Sequence, residues 1–111
     1  MVRAEAVRLN FSKLNGLLPA VVQHHQTREV LMVGFMNEDA WALTRQNGLV
    51  TFWSRERKAL WTKGETSGNV LRVTRLWTDC DNDTILIEAD PAGPVCHTGS
   101  VSCFFQELDR D

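Results

Sequence analysis

The chain has 111 residues, the length of one domain, and its 12 basic and 14 acidic side chains leave a net charge of −2. This balance argues against general nucleic-acid binding, which needs an excess of basic side chains to neutralise phosphates. No apolar run reaches the roughly 18 residues of a membrane-spanning helix, and the N-terminus lacks the apolar core of a signal peptide. We therefore expect a single domain over residues 1–111, in a reducing cytoplasm that suits unpaired cysteines.

The first part of the chain predicts a β-hairpin behind a short amphipathic lead-in. Residues 1–15 form the lead-in, with a helical turn expected around Phe11–Asn15. Leu17–Gln23 has the pattern of a strand, and Pro19 within it favours a sheet edge or a β-bulge, because proline cannot donate a ladder hydrogen bond. Glu29–Met36 is almost continuously apolar, which predicts a strand buried on both faces. The polar residues between the two runs predict that they pair as a hairpin.

A helix over about residues 37–48 carries both a start and a stop signal. Asn37 is suited to cap its N-terminus, and the acidic Glu38 and Asp39 fall in the first turn, where they complement the helix dipole. Apolar residues follow at helical spacing, and Asn47-Gly48 is typical of a helix C-terminus.

The rest of the chain predicts mainly strands. They are expected at Leu49–Ser54, Ala59–Lys63, Val70–Thr78 and Asp83–Ala89. A chain reversal at Asp90–Pro94 follows, and then two short extended pieces at Val95–Thr98 and Val101–Phe105. Together the elements predict an α+β fold, a mostly antiparallel β-sheet with one main helix.

Three cysteines, Cys80, Cys96 and Cys103, lie in the last third of the chain. No two of them have the close spacing of a zinc-finger knuckle, so the usual structural zinc patterns do not fit. Three thiolates with one open position form a catalytic type of zinc site, in which the metal activates water. Two alternatives stay open, because buried cysteines also serve as small apolar residues and Cys80–Cys96 or Cys96–Cys103 can form a disulfide.

Carboxylates and a histidine stand beside these cysteines. If residues 79–83 were extended, Asp79, Asp81 and Asp83 would share one face, and a divalent cation such as Mg²⁺ would relieve their repulsion. An exposed polar turn is the alternative interpretation. His97 follows Cys96 directly and suits a proton shuttle or a ligand, although a lone histidine is more often a hydrogen-bonded surface or core residue.

Charge is distributed unevenly along the chain. Ser54–Gly64 is basic, whereas Asp79–Asp90 holds acids and no base, which indicates an anionic ligand and a cation held near each other, or simply two solvated faces. The loop Gly64–Asn69 places small polar residues between two glycines. Such a loop suits phosphate binding through backbone N–H groups, and an ordinary turn is the alternative.

Five groups of motifs, taken together, resemble the phosphoribosyl-AMP cyclohydrolase family. They cover nearly the whole chain, from about Leu18 to Phe105. The matching segments are Val30-Leu31-Met32 with Met36-Asn37, Trp53-Ser54-Arg55 with Arg57, Leu60-Trp61 with Lys63-Gly64-Glu65-Thr66-Ser67-Gly68, Asp79-Cys80-Asp81 with Asp83, and Cys96-His97-Thr98-Gly99 with Ser102-Cys103-Phe104.

The resemblance implies an intertwined homodimer with one Zn²⁺ per subunit. Cys80 would come from one chain and Cys96 with Cys103 from the other. It also implies Mg²⁺ at Asp79, Asp81 and Asp83. We expect no fused pyrophosphohydrolase domain, because the chain is too short to include one.

The implied reaction is hydrolysis of the N1–C6 bond of N1-(5-phosphoribosyl)-AMP, a step of L-histidine biosynthesis, with zinc activating the water and His97 as the base. Substrate contacts are expected from Trp53, Ser54, Arg55, Arg57, Trp61, Lys63, Thr66 and Ser67. Many relatives have Tyr in place of Phe35 and His in place of Asn69, and the second difference places more of the proton transfer on His97.

Two other functional classes stay open from the sequence. One is a non-catalytic nucleotide-binding module whose zinc only joins a dimer, which requires a fourth protein ligand. The other is a single-strand-binding module that uses the basic segment and its tryptophans, and its affinity would fall steeply with salt.

Overall fold

The computed structural model describes residues 8–111, so residues 1–7 of the predicted lead-in lie outside it. Within the described residues the fold is α+β, with strands and one helix. The elements in chain order are β1 Leu18–His24, β2 Val30–Met36, α1 Glu38–Asn47, β3 Thr51–Ser54, β4 Ala59–Thr62, β5 Leu71–Thr78 and β6 Ile85–Pro91. No helix in residues 8–111 is long and apolar enough to cross a membrane.

The main sheet has four strands in the order β2-β1-β6-β5, and β3 with β4 forms a separate two-stranded sheet. The pairs β1–β2, β5–β6 and β3–β4 are antiparallel. The central pair β1–β6 is parallel. The main sheet is therefore mixed, which qualifies the predicted antiparallel sheet, because β1 and β6 are distant in sequence and no local turn sets their relative direction.

The predicted hairpin of β1 and β2 is confirmed, but the predicted environments of its strands are wrong. β1 is an interior strand, and Pro19 fits there because it precedes the ladder with β6, which begins at Ala20. The bulge of β1 lies further on, at Val22 and Gln23. β2 is the outer strand and is only partly buried, with Val30 40% and Val33 44% exposed.

The predicted helix is confirmed at both ends. Asn37 accepts a hydrogen bond from the Ala40 backbone N–H at 2.8 Å, as an N-cap does. Gly48 adopts φ 71° and donates its backbone N–H to the Thr44 carbonyl. The buried Thr44 hydroxyl also bonds to the Thr51 backbone, which joins the helix to β3.

Two segments differ from their predicted secondary structure. Residues 12–15 form a turn and not a helix. Residues 95–105 contain no strand; two backbone bonds, from Val95 to Val101 and from Cys96 to Ser100, close a compact loop instead. This loop ends against the outer strand, where the Cys103 N–H donates to the Leu31 carbonyl at 2.8 Å.

The core lies between one face of the main sheet, the helix and β3. Its largest fully buried side chains are Phe52, Leu18, Leu31, Met36, Leu71, Ile85 and Ile87. Phe52 packs directly on the backbone of β2 at Gly34, where an added Cβ would lie 2.5 Å from ring atoms of Phe52. The absence of a side chain at Gly34 therefore lets the β3–β4 hairpin close onto the main sheet.

We expect Gly34→Ala to lower the free energy of unfolding by about 1–3 kcal/mol, because the new methyl group overpacks the core. Urea unfolding measures this change. In a Phe52→Leu background the cost of Gly34→Ala should be smaller, because the ring that meets the methyl group is gone. An equal cost in both backgrounds would contradict the close contact.

Candidate metal and nucleotide site

The turn between β5 and β6 brings three carboxylates together. Ligand oxygens of Asp79, Asp81 and Asp83 all lie within 4.8 Å of one another. The segment is a turn and not the extended segment considered above. The Asp79 carboxylate accepts from the backbone N–H of Asp83 at 3.0 Å and of Thr84 at 3.3 Å, while Asn82 takes φ 62°. Oxygen ligands at this spacing suit a hard divalent cation.

The ammonium group of Lys13 lies against the carboxylates of this turn. Its Nζ lies 2.9 Å from Asp81 and 2.5 Å from Asp83. The contact with Lys13 lowers the pKa of Asp81 to about 2, and the hydrogen bonds to Asp83 and Asp81 raise the pKa of Lys13. The lowered pKa of Asp81 favours its ionised form beside the Lys13 ammonium group. Nothing in the local sequence marks Lys13, because it lies 68 residues from its partner.

The loop of residues 95–105 holds two of the three cysteines. Cys96 is 8% exposed and Cys103 is exposed. The Thr98 hydroxyl donates to Cys96 Sγ at 3.1 Å; this bond, with the Thr98 backbone, lowers the pKa of Cys96. Partial burial and the neighbouring Cys96 raise the pKa of Cys103. The two sulfurs are neighbours and are not joined in a disulfide, so this loop offers a pair of soft metal ligands.

Cys80 is not with them in the same chain. It lies in the turn after the outer strand β5, whereas Cys103 is bonded to the opposite outer strand, β2. Three strand intervals separate these edges, which corresponds to roughly 14 Å. Within residues 8–111, one group of three His, Cys, Asp or Glu residues lies close enough together to hold a single ion, and that group is the aspartate turn. The described residues of one chain therefore do not bring the three thiols together.

His97 stands between the buried Cys96 and Thr98, and its side chain is exposed. The loop fixes its backbone, because Cys96 donates to the Ser100 carbonyl and Gly99 donates back to the Cys96 carbonyl at 3.0 Å. An exposed imidazole on a fixed turn beside a thiol pair is placed to exchange protons with solvent or with a ligand.

The β3–β4 hairpin gathers the predicted substrate residues. The Trp61 ring packs on Phe52 with centroids 5.3 Å apart, and the cationic groups of Arg57 and Lys63 both lie 5.8 Å from its centroid. Arg55 lies 4.3 Å from the ring of Phe35. Aromatic faces flanked by cations suit a base with attached phosphates.

A cavity of about 380 Å³ opens beside the contact between this hairpin and β2 and is lined by residues of both. Its lining includes four predicted substrate residues, Trp53, Ser54, Arg55 and Trp61. Thr66 and Ser67 lie outside it, in the exposed loop after β4. Lys63 connects the hairpin with the thiols, because its charge acts to lower the pKa of both Cys96 and Cys103.

We expect Lys13→Ala to raise the affinity of the aspartate turn for Mg²⁺ severalfold, because an entering cation would no longer displace an ammonium group from the same oxygens. Calorimetric titration of the metal-free protein with Mg²⁺ measures the affinity. Lys13→Arg is the matched control, which keeps the competing charge. Equal affinity in all three proteins would show that Lys13 and the metal do not share these carboxylates.

Comparison with known proteins agrees with the motifs. The model of the phosphoribosyl-AMP cyclohydrolase family matches residues 32–105. The histidine biosynthesis bifunctional protein HisIE of Bacteroides thetaiotaomicron is 58% identical over 104 residues, 94% of this chain and 51% of the relative. The protein of the same name from Vibrio vulnificus is 53% identical over 103 residues, 93% of this chain and 49% of the relative.

The phosphoribosyl-AMP cyclohydrolase of Erythrobacter litoralis is 57% identical over 95 residues, 86% of this chain and 76% of that protein. The chain spans about half the length of the bifunctional relatives, 51% and 49% in these two cases. The matched region includes the aspartate turn, the cysteine loop and the β3–β4 hairpin. The chain therefore belongs to the phosphoribosyl-AMP cyclohydrolase family.

Proposed function

We propose that this chain is a phosphoribosyl-AMP cyclohydrolase, which hydrolyses the N1–C6 bond of N1-(5-phosphoribosyl)-AMP in histidine biosynthesis. Family membership and the names of its relatives support this activity. The structural observation that carries it is the Trp61 ring, which has the cationic groups of Arg57 and Lys63 both 5.8 Å from its centroid. An aromatic face flanked by two cations suits a nucleotide base with attached phosphates.

The thiols are proposed to hold Zn²⁺. The donor set fits, because zinc prefers thiolates and the hydrogen bond from Thr98 favours the thiolate form of Cys96. Cys96 and Cys103 would be two ligands, and Cys80 of a second chain the third. When bound, zinc supplies Lewis acidity that makes a water molecule more nucleophilic.

The aspartate turn is proposed to hold Mg²⁺ through Asp79, Asp81 and Asp83. Three ionised carboxylates within one turn supply hard oxygen ligands. Lys13 neutralises part of their charge, so the metal has to displace it. The proximity of this turn to Cys80 in sequence places the two proposed metals in one region of the assembly.

The β3–β4 hairpin is proposed to bind the substrate. Arg55, Arg57 and Lys63 bring three positive charges to the two phosphate groups, and the guanidinium groups can bind phosphate through paired hydrogen bonds. The half-buried Trp61 offers its ring to the purine. Thr66 and Ser67, with backbone N–H groups of their loop, add donors for a phosphate.

His97 is proposed as the base. A water oxygen bonds to C6 of the purine while His97 accepts a proton of that water. The N1–C6 bond then breaks, the electron pair of that bond goes to N1, and a proton returns to the nitrogen. C6 becomes the carbon of a carboxamide and N1 remains in a formimino group, so one water is consumed. Backbone hydrogen bonds fix the loop around His97, which follows the proposed ligand Cys96 directly in the chain.

The proposed active form is an intertwined homodimer with two shared sites. The separation of Cys80 from Cys103 across the sheet supports this form, because one chain cannot complete the three-cysteine set. Exposed apolar side chains on β2 and in the cysteine loop are consistent with a covering partner. They include Val30, Val33 and Val101.

Mixed dimers test the shared site. Cys80→Ser and Cys103→Ser homodimers should each be inactive and poor in zinc, because every site lacks one ligand. When the two variants are unfolded and refolded together, half of the dimers are mixed and each contains one complete site, so about a quarter of wild-type activity should return. Zinc content and the rate of imidazole product formation measure recovery.

A matched control uses Cys96→Ser with Cys103→Ser, which both remove ligands from the same chain of a site. That mixture should stay inactive. Recovery in the control, or no recovery when mixed Cys80 and Cys103 dimers are present, would contradict the shared zinc site. A zinc-loaded wild-type dimer that binds nucleotide without turnover would support the non-catalytic alternative.

We expect His97→Ala to lower kcat about 10²–10⁴-fold with zinc content retained, because the variant loses its base but no thiolate. The acid limb of the pH–rate profile should also disappear, since an unprotonated base is needed in the wild type. His25→Ala is the control at another histidine. A profile that keeps its acid limb in His97→Ala would assign the base to another group.

A further inference from the structure

A second and larger groove lies away from the proposed substrate hairpin. It has a volume of about 670 Å³ and is bordered by α1, by the end of β5 and by the segment before β1. Two tryptophans, Trp41 and Trp77, stand in its wall with Phe11, and two arginines, Arg8 and Arg45, line it as well. The groove is therefore aromatic and basic.

The walls of the groove are held firmly. The Trp77 indole N–H donates to the carboxylate of Glu88, whose side chain is only 5% exposed and pairs with Arg28 at 3.0 Å. On the helix side, the Arg45 guanidinium lies 5.5 Å from the centroid of the Trp41 ring. An open groove with fixed aromatic walls is suited to take apolar side chains.

The C-terminal tail, residues 104–111, has the complementary character. Phe104, Phe105 and Leu108 are 62%, 52% and 87% exposed. Acidic residues stand on both sides of Leu108, and the tail Phe-Phe-Gln-Glu-Leu-Asp-Arg-Asp has three acids and one base. Its apolar side chains do not enter the groove of their own chain, because other residues line that groove.

We propose that the C-terminal tail of one copy binds in the groove of a second copy, with Phe105 and Leu108 as the buried side chains. This rests on the proposed homodimer with shared thiols. The tail begins directly after Cys103, and Thr78 of the groove precedes Cys80 by two residues. Once Cys103 of one copy meets Cys80 of the other, the five residues to Leu108 reach up to about 17 Å, enough to enter the groove.

Charge supports the same partner. The groove carries Arg8 and Arg45 against Glu38, whereas the tail carries an excess of acids. Opposite net charges on two surfaces that also match in apolar character favour their association. Two tails in two grooves make the contact symmetric, as a dimer with twofold symmetry requires.

The first test removes the apolar anchors. Phe105→Asp with Leu108→Asp should weaken the zinc-loaded dimer at least about tenfold, as sedimentation equilibrium measures it, because charged groups would have to enter an aromatic groove. Leu60→Asp is the matched control, since Leu60 is 38% exposed on the β3–β4 hairpin and outside both surfaces. It should leave the dimer affinity unchanged. A tail variant that dimerises like the wild type would overturn the proposal.

The second test reverses charge. Arg45→Glu alone, and Glu107→Lys with Asp109→Lys, should each weaken the dimer, and the combination of both in one chain should restore much of the loss. If the losses of dimer affinity from the two sets of substitutions simply add, the proposed contact is wrong. A raised KM in Arg45→Glu with unchanged dimer affinity would mean that the groove takes a small molecule, which also overturns it.

A cross-linking experiment distinguishes a tail that binds in the groove of a second copy from a tail that binds in the groove of its own chain. A Leu108→Cys chain and an Arg45→Cys chain with tags of different mass are mixed, refolded with Zn²⁺ and oxidised, and the linked peptides are identified by mass spectrometry. A disulfide that joins the Leu108→Cys position to the Arg45→Cys position, as distinct from a link through the native Cys80 or Cys103, is the expected result. Its absence would overturn the proposal. A stable, active wild-type dimer in that case would show that the tail contact fails while the proposed function stands.

Discussion

The width of the main sheet determines where the thiol ligands can meet. Cys80 follows one outer strand and Cys103 is bonded to the other, so four hydrogen-bonded strands hold them apart. A β-sheet cannot narrow without breaking its ladder, and the parallel pair at its centre lies within the buried core. The described residues of one chain therefore keep Cys80 apart from Cys103. The proposed three-thiolate centre would need a second copy of the chain to supply the missing thiolate.

Local signals in the sequence were sufficient for the elements that local contacts determine. The cap at Asn37 and the stop at Gly48 gave the helix, and alternating runs with short turns gave the hairpins. The position of each strand within the sheet could not be read in this way. Pro19 indicated an edge, but β1 is central because its partner β6 comes from more than 60 residues further along the chain. The sequence predicts extended pieces at Val95–Thr98 and Val101–Phe105, but the structure has a compact loop there, anchored on the carbonyl of Leu31, which also lies more than 60 residues away in sequence.

The same distinction applies to the candidate site. Residue type and spacing identified the aspartates, the cysteines and the aromatic-basic hairpin, and the structure brings the aspartates together and places Cys96 beside Cys103. The groups that tune them were missed. Lys13 acts from the far end of the chain, and Thr98 acts through a hydroxyl hydrogen bond that no motif of residue types specifies. Proximity in three dimensions decides which side chains adjust the charge of a site, and the sequence does not give that proximity. The candidate ligands themselves can be identified from the sequence by their chemistry.

The contact of Lys13 with the aspartate turn has a consequence for the order of folding and metal binding. The repulsion among the neighbouring carboxylates is offset within the chain by its own ammonium group. The β5–β6 hairpin therefore does not need a divalent ion to offset this repulsion as it closes. Entry of the proposed Mg²⁺ would be an exchange reaction in which lysine leaves as the ion enters, so a folding step and a later loading step would be separate.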